Sequence, residues 1–125
     1  MIRRLIYQKG NMVISVSDKK LRSAVEDETA ARKLYGAGMA KKLALRLTAL
    51  KAAASLAVFW PPKSGPERCH ELKGNLAGIF SVDLKQPYRL LFKSDESKPA
   101  DRSDEQMRWG TITEIELTSI EDTHE

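Results

Sequence analysis

The sequence has little of what most directly announces a class. A single cysteine, Cys69, among 125 residues excludes an internal disulfide framework and gives no reason to assign the chain to an oxidising compartment, so a reducing cytoplasm is the expected setting. With only two histidines, His70 and His124, the Cys/His inventory falls short of the four ligands of a structural zinc site, and no metal or cofactor is expected. No apolar run approaches the roughly 20 residues of a membrane-spanning helix. The longest, Ala52 to Trp60, is broken by Ser55 and stopped by Pro61 and Pro62. The first residues carry the charge of a signal n-region, but Gln8, Lys9 and Gly10 arrive before any apolar h-region forms, so residues 1–11 read as an untargeted extension.

What is present fits one domain spanning residues 1–125, with 42% hydrophobic and 30% charged residues. The charge is divided. Residues 1–60 hold 12 Lys and Arg against 4 Asp and Glu, whereas residues 95–125 hold 3 against 10, so the acidity collects behind Lys93. Residues Met12 to Val16 alternate as a short strand, and Ser17 or Asp18 caps a helix that runs to about Glu26. A second helix from about Glu28 ends near Gly36, which accepts the left-handed conformation that closes a helix. In a third, Met39, Leu43, Leu47, Leu50 and Ala54 form the core stripe, and Lys41, Lys42, Arg46 and Lys51 form a solvated basic one.

Pro61 to Pro66 ends this helical half, and the remainder reads as sheet. Strands are expected near Arg68 to Leu72, Leu76 to Leu84, Tyr88 to Lys93 and Thr111 to Ile120, with an elaborated acidic loop over residues 94–110. Short connections favour antiparallel pairing. The expected fold class is α+β: an N-terminal strand and helices packed on one face of a mainly antiparallel sheet, the other face at least partly open. Strand alternation then turns Tyr88, Leu90 and Phe92 inward and Arg89 and Lys93 outward, sets Phe80, Val82 and Leu84 against Ser81 and Asp83, and turns Thr113, Ile115 and Leu117 inward from Glu114 and Glu116. Arg68 and His70 share one side of a neighbouring strand, and Lys73 lies at its turn.

Metal-independent RNA cleavage asks for such an inventory: a base for the ribose 2′-hydroxyl, an acid for the departing 5′-oxygen, and cations around the phosphorane. His70 and His124 suit the proton transfers, because imidazole accepts or donates near neutrality, and Arg89 and Lys73 suit the phosphate. The bland reading of the same residues is one satisfied imidazole, one terminal one and solvated surface charge. Cys69 reads as structural, and Gly74 and Gly78 as serving a hairpin and a close backbone contact.

The ordered motifs His-x-Leu-Lys-Gly (His70 to Gly74), Gly-x-Phe-Ser-Val (Gly78 to Val82), Tyr-Arg-Leu-x-Phe (Tyr88 to Phe92) and a terminal Asp-x-His (Asp122 to His124) resemble the RelE/HigB toxins of bacterial toxin–antitoxin modules. The segment Val25 to Gly36 and the basic helix after it resemble the plasmid-maintenance killer-protein branch. The resemblance implies a RelE/ParE-like toxin fold and a ribosome-dependent mRNA endonuclease that arrests translation. It implies His70, Asp122 and His124 as the acid–base group, and Lys73 and Arg89 as the phosphate cations. Strand geometry adds Arg68 and Lys93 as RNA-positioning residues. The implied partners are a helix-turn-helix antitoxin of HigA type, whose acidic surface would suit the basic helical half, the ribosome and its mRNA; DNA is met only through the antitoxin. Thr123 stands where many relatives carry a tyrosine able to stack on a base, and the loop after Lys93 exceeds the usual tight turn. Two alternatives stand beside this reading: a ParE-like gyrase inhibitor that cuts no RNA, and an inactive module that only binds antitoxin or RNA.

Overall fold

The computed structural model describes residues 4–8, 12–94 and 104–122. Its elements run β1 (Arg4–Gln8), β2 (Val13–Val16), α1 (Lys19–Glu26), α2 (Glu28–Tyr35), α3 (Ala37–Ala52), β3 (His70–Glu71), β4 (Ile79–Asp83), β5 (Tyr88–Ser94), α4 (Glu105–Thr111) and β6 (Glu114–Asp122), with single 3-10 turns at Leu56–Phe59 and Gly74–Leu76. The six strands form one sheet in the order β1-β2-β6-β5-β4-β3. Strands β3 to β6 make the expected antiparallel meander, and β2 joins it parallel to β6. Residues 4–8, read from sequence as part of an extension, pair antiparallel with β2 as an edge strand.

The helical half forms where its caps and spacing put it. The Asp18 carboxylate accepts from the Leu21 amide at 2.8 Å, satisfying a donor that the first turn leaves unpaired. Gly36, at φ +89°, closes α2 with its amide on the Arg32 carbonyl, in a region of backbone space that a Cβ resists. Met39, Leu43, Leu47 and Leu50 of α3 bury against Ile14, Val16, Phe80, Val82, Leu90, Phe92, Ile115 and Leu117 of the sheet in one apolar cluster.

Two corrections concern α3. Ala54 lies beyond the helix and is exposed, and Ala53 is buried in its stead. Arg46 is not part of a wet stripe: it is buried, and its Nε donates to the Asp83 carbonyl at 2.6 Å, tying the helix to the end of β4. A guanidinium on a long apolar stem reaches across a core edge where the position alone predicts solvent.

Corrections in the sheet half follow from turns that cut the strands short. Of the strand expected near Arg68 to Leu72 only His70–Glu71 is strand, because Arg68 has φ +48°. The 3-10 turn delays β4 to Ile79, and α4 occupies the start of the segment expected as the last strand, which shifts β6 to Glu114–Asp122 and leaves Thr113 exposed. Gly78 serves conformation rather than close approach, since φ is +93° and an added Cβ would meet nothing within 4 Å. The sheet face away from the core is not open at its centre: His70, Ser81, Asp83, Leu91 and Glu116 all lie there, and all are buried.

Candidate active site

Cross-strand partners share a face of a sheet, so the registers assemble the site directly. One row across the sheet holds His70, Ser81, Leu91 and Ser119; a second, toward the end of β4, holds Asp83, Arg89 and Glu121; a third, on the other side of the first, holds Ile79, Lys93 and Glu116. His70 and Arg89 are therefore brought within one residue row of each other, from strands separated in sequence by two turns.

The His70 ring is fixed by its own neighbourhood. Its Nδ1 lies 2.9 Å from the Arg68 carbonyl oxygen. A carbonyl only accepts, so Nδ1 carries the proton, and in the neutral imidazole Nε2 is the basic nitrogen. Nε2 has no solvent contact, and the hydroxyl of Ser81, the cross-strand partner of His70, is buried with no hydrogen-bond partner among the described residues. The turn at Arg68 that shortens β3 is what brings that carbonyl under the ring.

Asp83 organises the cations. Its Oδ2 lies 3.3 Å from Arg68 Nε and its Oδ1 3.5 Å from Arg89 Nε; Gln86 Nε2 donates to Oδ2 at 3.1 Å. The Asp83 backbone is held on both sides, its amide on the Glu67 carbonyl and its carbonyl on Arg46. One buried carboxylate thus draws two guanidiniums to the same face of the sheet. Arg68 is half exposed and Arg89 more covered.

The other residues expected at the site are distributed around this centre. Lys93 is exposed, in the third row, with Nζ 3.9 Å from the Glu116 carboxylate. Lys73 precedes the 3-10 turn and lines a cavity at the β3 edge that His70 also lines. Asp122 is not brought to His70. A bulge places Thr118 opposite the junction of Leu91 and Phe92, which gives Arg89 the partner Glu121 and leaves Asp122 opposite Tyr88, on the face of Leu90 and Ile120. His124 and Thr123 lie outside the described residues.

Sequence reasoning placed Ser81 and Asp83 on the outer face but gave neither a part in the site. The available signal was Asp83 standing in pairing distance of Arg89 across a short turn; its contact with Arg68 depends on a positive φ that no pattern announces. The flank of the site was missed as well. Arg108 of α4 donates to the Glu71 carboxylate at 2.7 Å, the second Glu71 oxygen accepts from the Gly78 amide at 2.7 Å, and the Arg108 guanidinium lies 5.7 Å from the Phe80 ring centroid. Trp109 meets Trp60 and Phe80 edge-on at 5.1 and 5.6 Å between centroids.

Helices on one face of a mostly antiparallel sheet, with a terminal strand threaded between β2 and β5, make an α+β fold that is shared with a solved structure of YoeB. Two similar solved structures are of YoeB from Staphylococcus aureus. The YoeB dimer superposes with a TM-score of 0.51 and the YoeB–YefM complex with 0.49, each at 18% sequence identity and covering 94% of this chain and 100% of that one. No protein-family model and no curated protein matches the sequence.

Proposed function

We propose that the protein is the toxin of a toxin–antitoxin module and acts as a ribosome-dependent mRNA endonuclease. The observation that carries the reading is a histidine whose Nδ1–H is fixed by a backbone carbonyl, on a sheet face that also holds two arginines oriented by one carboxylate. The fold shared with YoeB and the motifs shared with RelE/HigB toxins support it.

In this reading RNA binding opens the cover over His70 Nε2, which takes the proton of a ribose 2′-hydroxyl, whose oxygen attacks the adjacent phosphorus. The bond from phosphorus to the 5′-oxygen breaks, the leaving oxygen takes a proton from the acid of the site, and the products are a 2′,3′-cyclic phosphate and a 5′-hydroxyl. The acid is His124, aided by Asp122, on the resemblance alone. Arg89 and Arg68 hold the non-bridging oxygens as charge develops, with Lys73 and Lys93 along the strand of RNA. No metal enters the scheme. A helix-turn-helix antitoxin of HigA type neutralises the toxin through its basic helical half.

The test is to map new 5′ ends on an mRNA in a purified translation reaction, with and without ribosomes, for wild type, His70→Gln, Arg89→Ala and His124→Ala. Cuts that need the ribosome and disappear in the variants are expected. A folded wild type that makes no cuts overturns the reading, and inhibition of gyrase supercoiling by that protein would replace it with the ParE-like one.

A further inference from the structure

Beside the proposed catalytic row the structure holds a cavity of about 550 Å³ between the β3 edge and α4. That volume falls in the range of sites that hold small organic ligands, roughly 300 to 1,000 Å³. Pro62, Leu72 and Trp109 contribute apolar wall, and Lys63 and Lys73 bring positive charge to it. His70 lines the same cavity, so a group bound there lies next to the phosphodiester that His70 would act upon. An apolar slot with cations beside it suits one unstacked nucleotide, the base in the slot and its phosphate at the lysines.

The acidic side chains of the cavity differ in what they have left to offer. Both oxygens of Glu71 are already engaged, by Arg108 and by the Gly78 amide. Glu105, on the α4 wall, is partly exposed and 3.7 Å from Arg108, beyond hydrogen-bond length. A carboxylate with two accepting oxygens matches a base edge that presents two adjacent donors, and among the four bases guanine alone does so, with N1–H and the N2 amino group. Adenine and cytosine offer a single amino group flanked by an acceptor, and uracil an N3–H between two carbonyls that a carboxylate repels. The Arg108–Glu71 pair ties α4, and with it the backbone of Glu105, to the strand that carries His70. In the same wall the Trp109 indole N–H is buried with no hydrogen-bond partner among the described residues.

We propose that the cavity between β3 and α4 is a base-selecting subsite for an unstacked guanine, with Glu105 accepting from its Watson–Crick edge. The placement of that guanine beside a scissile bond rests on the nuclease reading above; the binding chemistry does not. Two measurements keep them apart. Purified protein is titrated with the 5′-monophosphates of guanosine, adenosine, cytidine and uridine while tryptophan fluorescence is followed, since Trp60 and Trp109 adjoin each other and Trp109 lines the cavity. Guanosine monophosphate is expected to bind at least about tenfold more tightly than the other three, the scale of one bidentate contact. Glu105→Gln should abolish that preference with an unchanged thermal midpoint, and Lys63→Ala should weaken all four nucleotides alike. The second measurement compares the sequences around the 5′ ends cut by wild type and by Glu105→Gln, where a guanine bias lost in the variant is expected. Equal binding of the four nucleotides, no binding, or a preference that survives in Glu105→Gln overturns the subsite. Guanine-selective binding by a protein that cuts no RNA upholds the subsite and overturns the nuclease reading.

Discussion

Asp83 shows how much a single side chain can set. Its carboxylate is buried between the guanidiniums of Arg68 and Arg89, so its charge compensates cations that would otherwise repel each other at close range. Asp83→Asn keeps the shape and removes the charge. The expected outcome is a loss of RNA cleavage of about tenfold or more with the fold retained, read by 5′-end mapping beside far-ultraviolet dichroism, because the two guanidiniums lose their common anchor. Unchanged cleavage would show that the arginines are oriented by something else. Cys69 illustrates the opposite case. Burial, and secondarily the Glu67 charge, push its thiol up to about 12, so it stays protonated and inert in the folded protein. Disulfide-exchange reagents at pH 8 should label it only after denaturant is added. The sign of the linkage follows: an unfolded thiol ionises near its ordinary value while the folded one does not, so the native state binds the extra proton and stability is lost as pH rises from about 9 to about 12. The denaturation midpoint of wild type should fall more steeply over that window than that of Cys69→Ala.

At the scale of elements, a buried ion pair ties α4 to the sheet. Arg108 is almost wholly buried and Glu71 nearly so, and their contact at 2.7 Å joins the helix to the short strand that carries His70. Arg108→Met strands a buried carboxylate and should cost about 3 to 5 kcal/mol in urea denaturation, whereas the double variant with Glu71→Gln should recover a large part of that. A double-variant loss equal to the sum of the losses of Arg108→Met and Glu71→Gln alone would show that the pair is not coupled. This helix was not legible in the sequence: it lies at the end of an acidic, turn-rich stretch, and seven residues with two buried side chains give periodicity nothing to count. By contrast α1 to α3 were legible because Asp18, Gly36 and the spacing of Met39, Leu43, Leu47 and Leu50 each act locally. Arg46 deceived the same reasoning, since spacing gives the direction of a side chain but not how far a long one folds back toward a carbonyl.

For the whole molecule, the meander from β3 to β6 was readable because its short turns leave few choices, and the α+β class followed from it. The parallel seam between β2 and β6 joins residues about a hundred positions apart, and no local signal specifies it. The faces of the sheet were readable up to the point where alternation breaks. His70, Arg89 and Lys93 fall on the expected outer face, while Asp122 does not fall in with them.

That break is one residue, Thr118, whose hydroxyl donates to the Leu91 carbonyl at 3.1 Å. It acts as a parity switch for the rest of the strand. Held in the bulge, it leaves Ile120 opposite Leu90 and Glu121 opposite Arg89; taken into the ladder opposite Leu91, it would turn Ile120 out of the core and set it against Arg89. A chain lacking Thr118 should keep the first set of partners as a regular strand and lose only the hydroxyl bond to the Leu91 carbonyl, which a thermal melt close to that of wild type would show. What stands beside Arg89 is therefore decided by where the strand stores its one extra residue, a property of register that no substitution at the site itself can imitate.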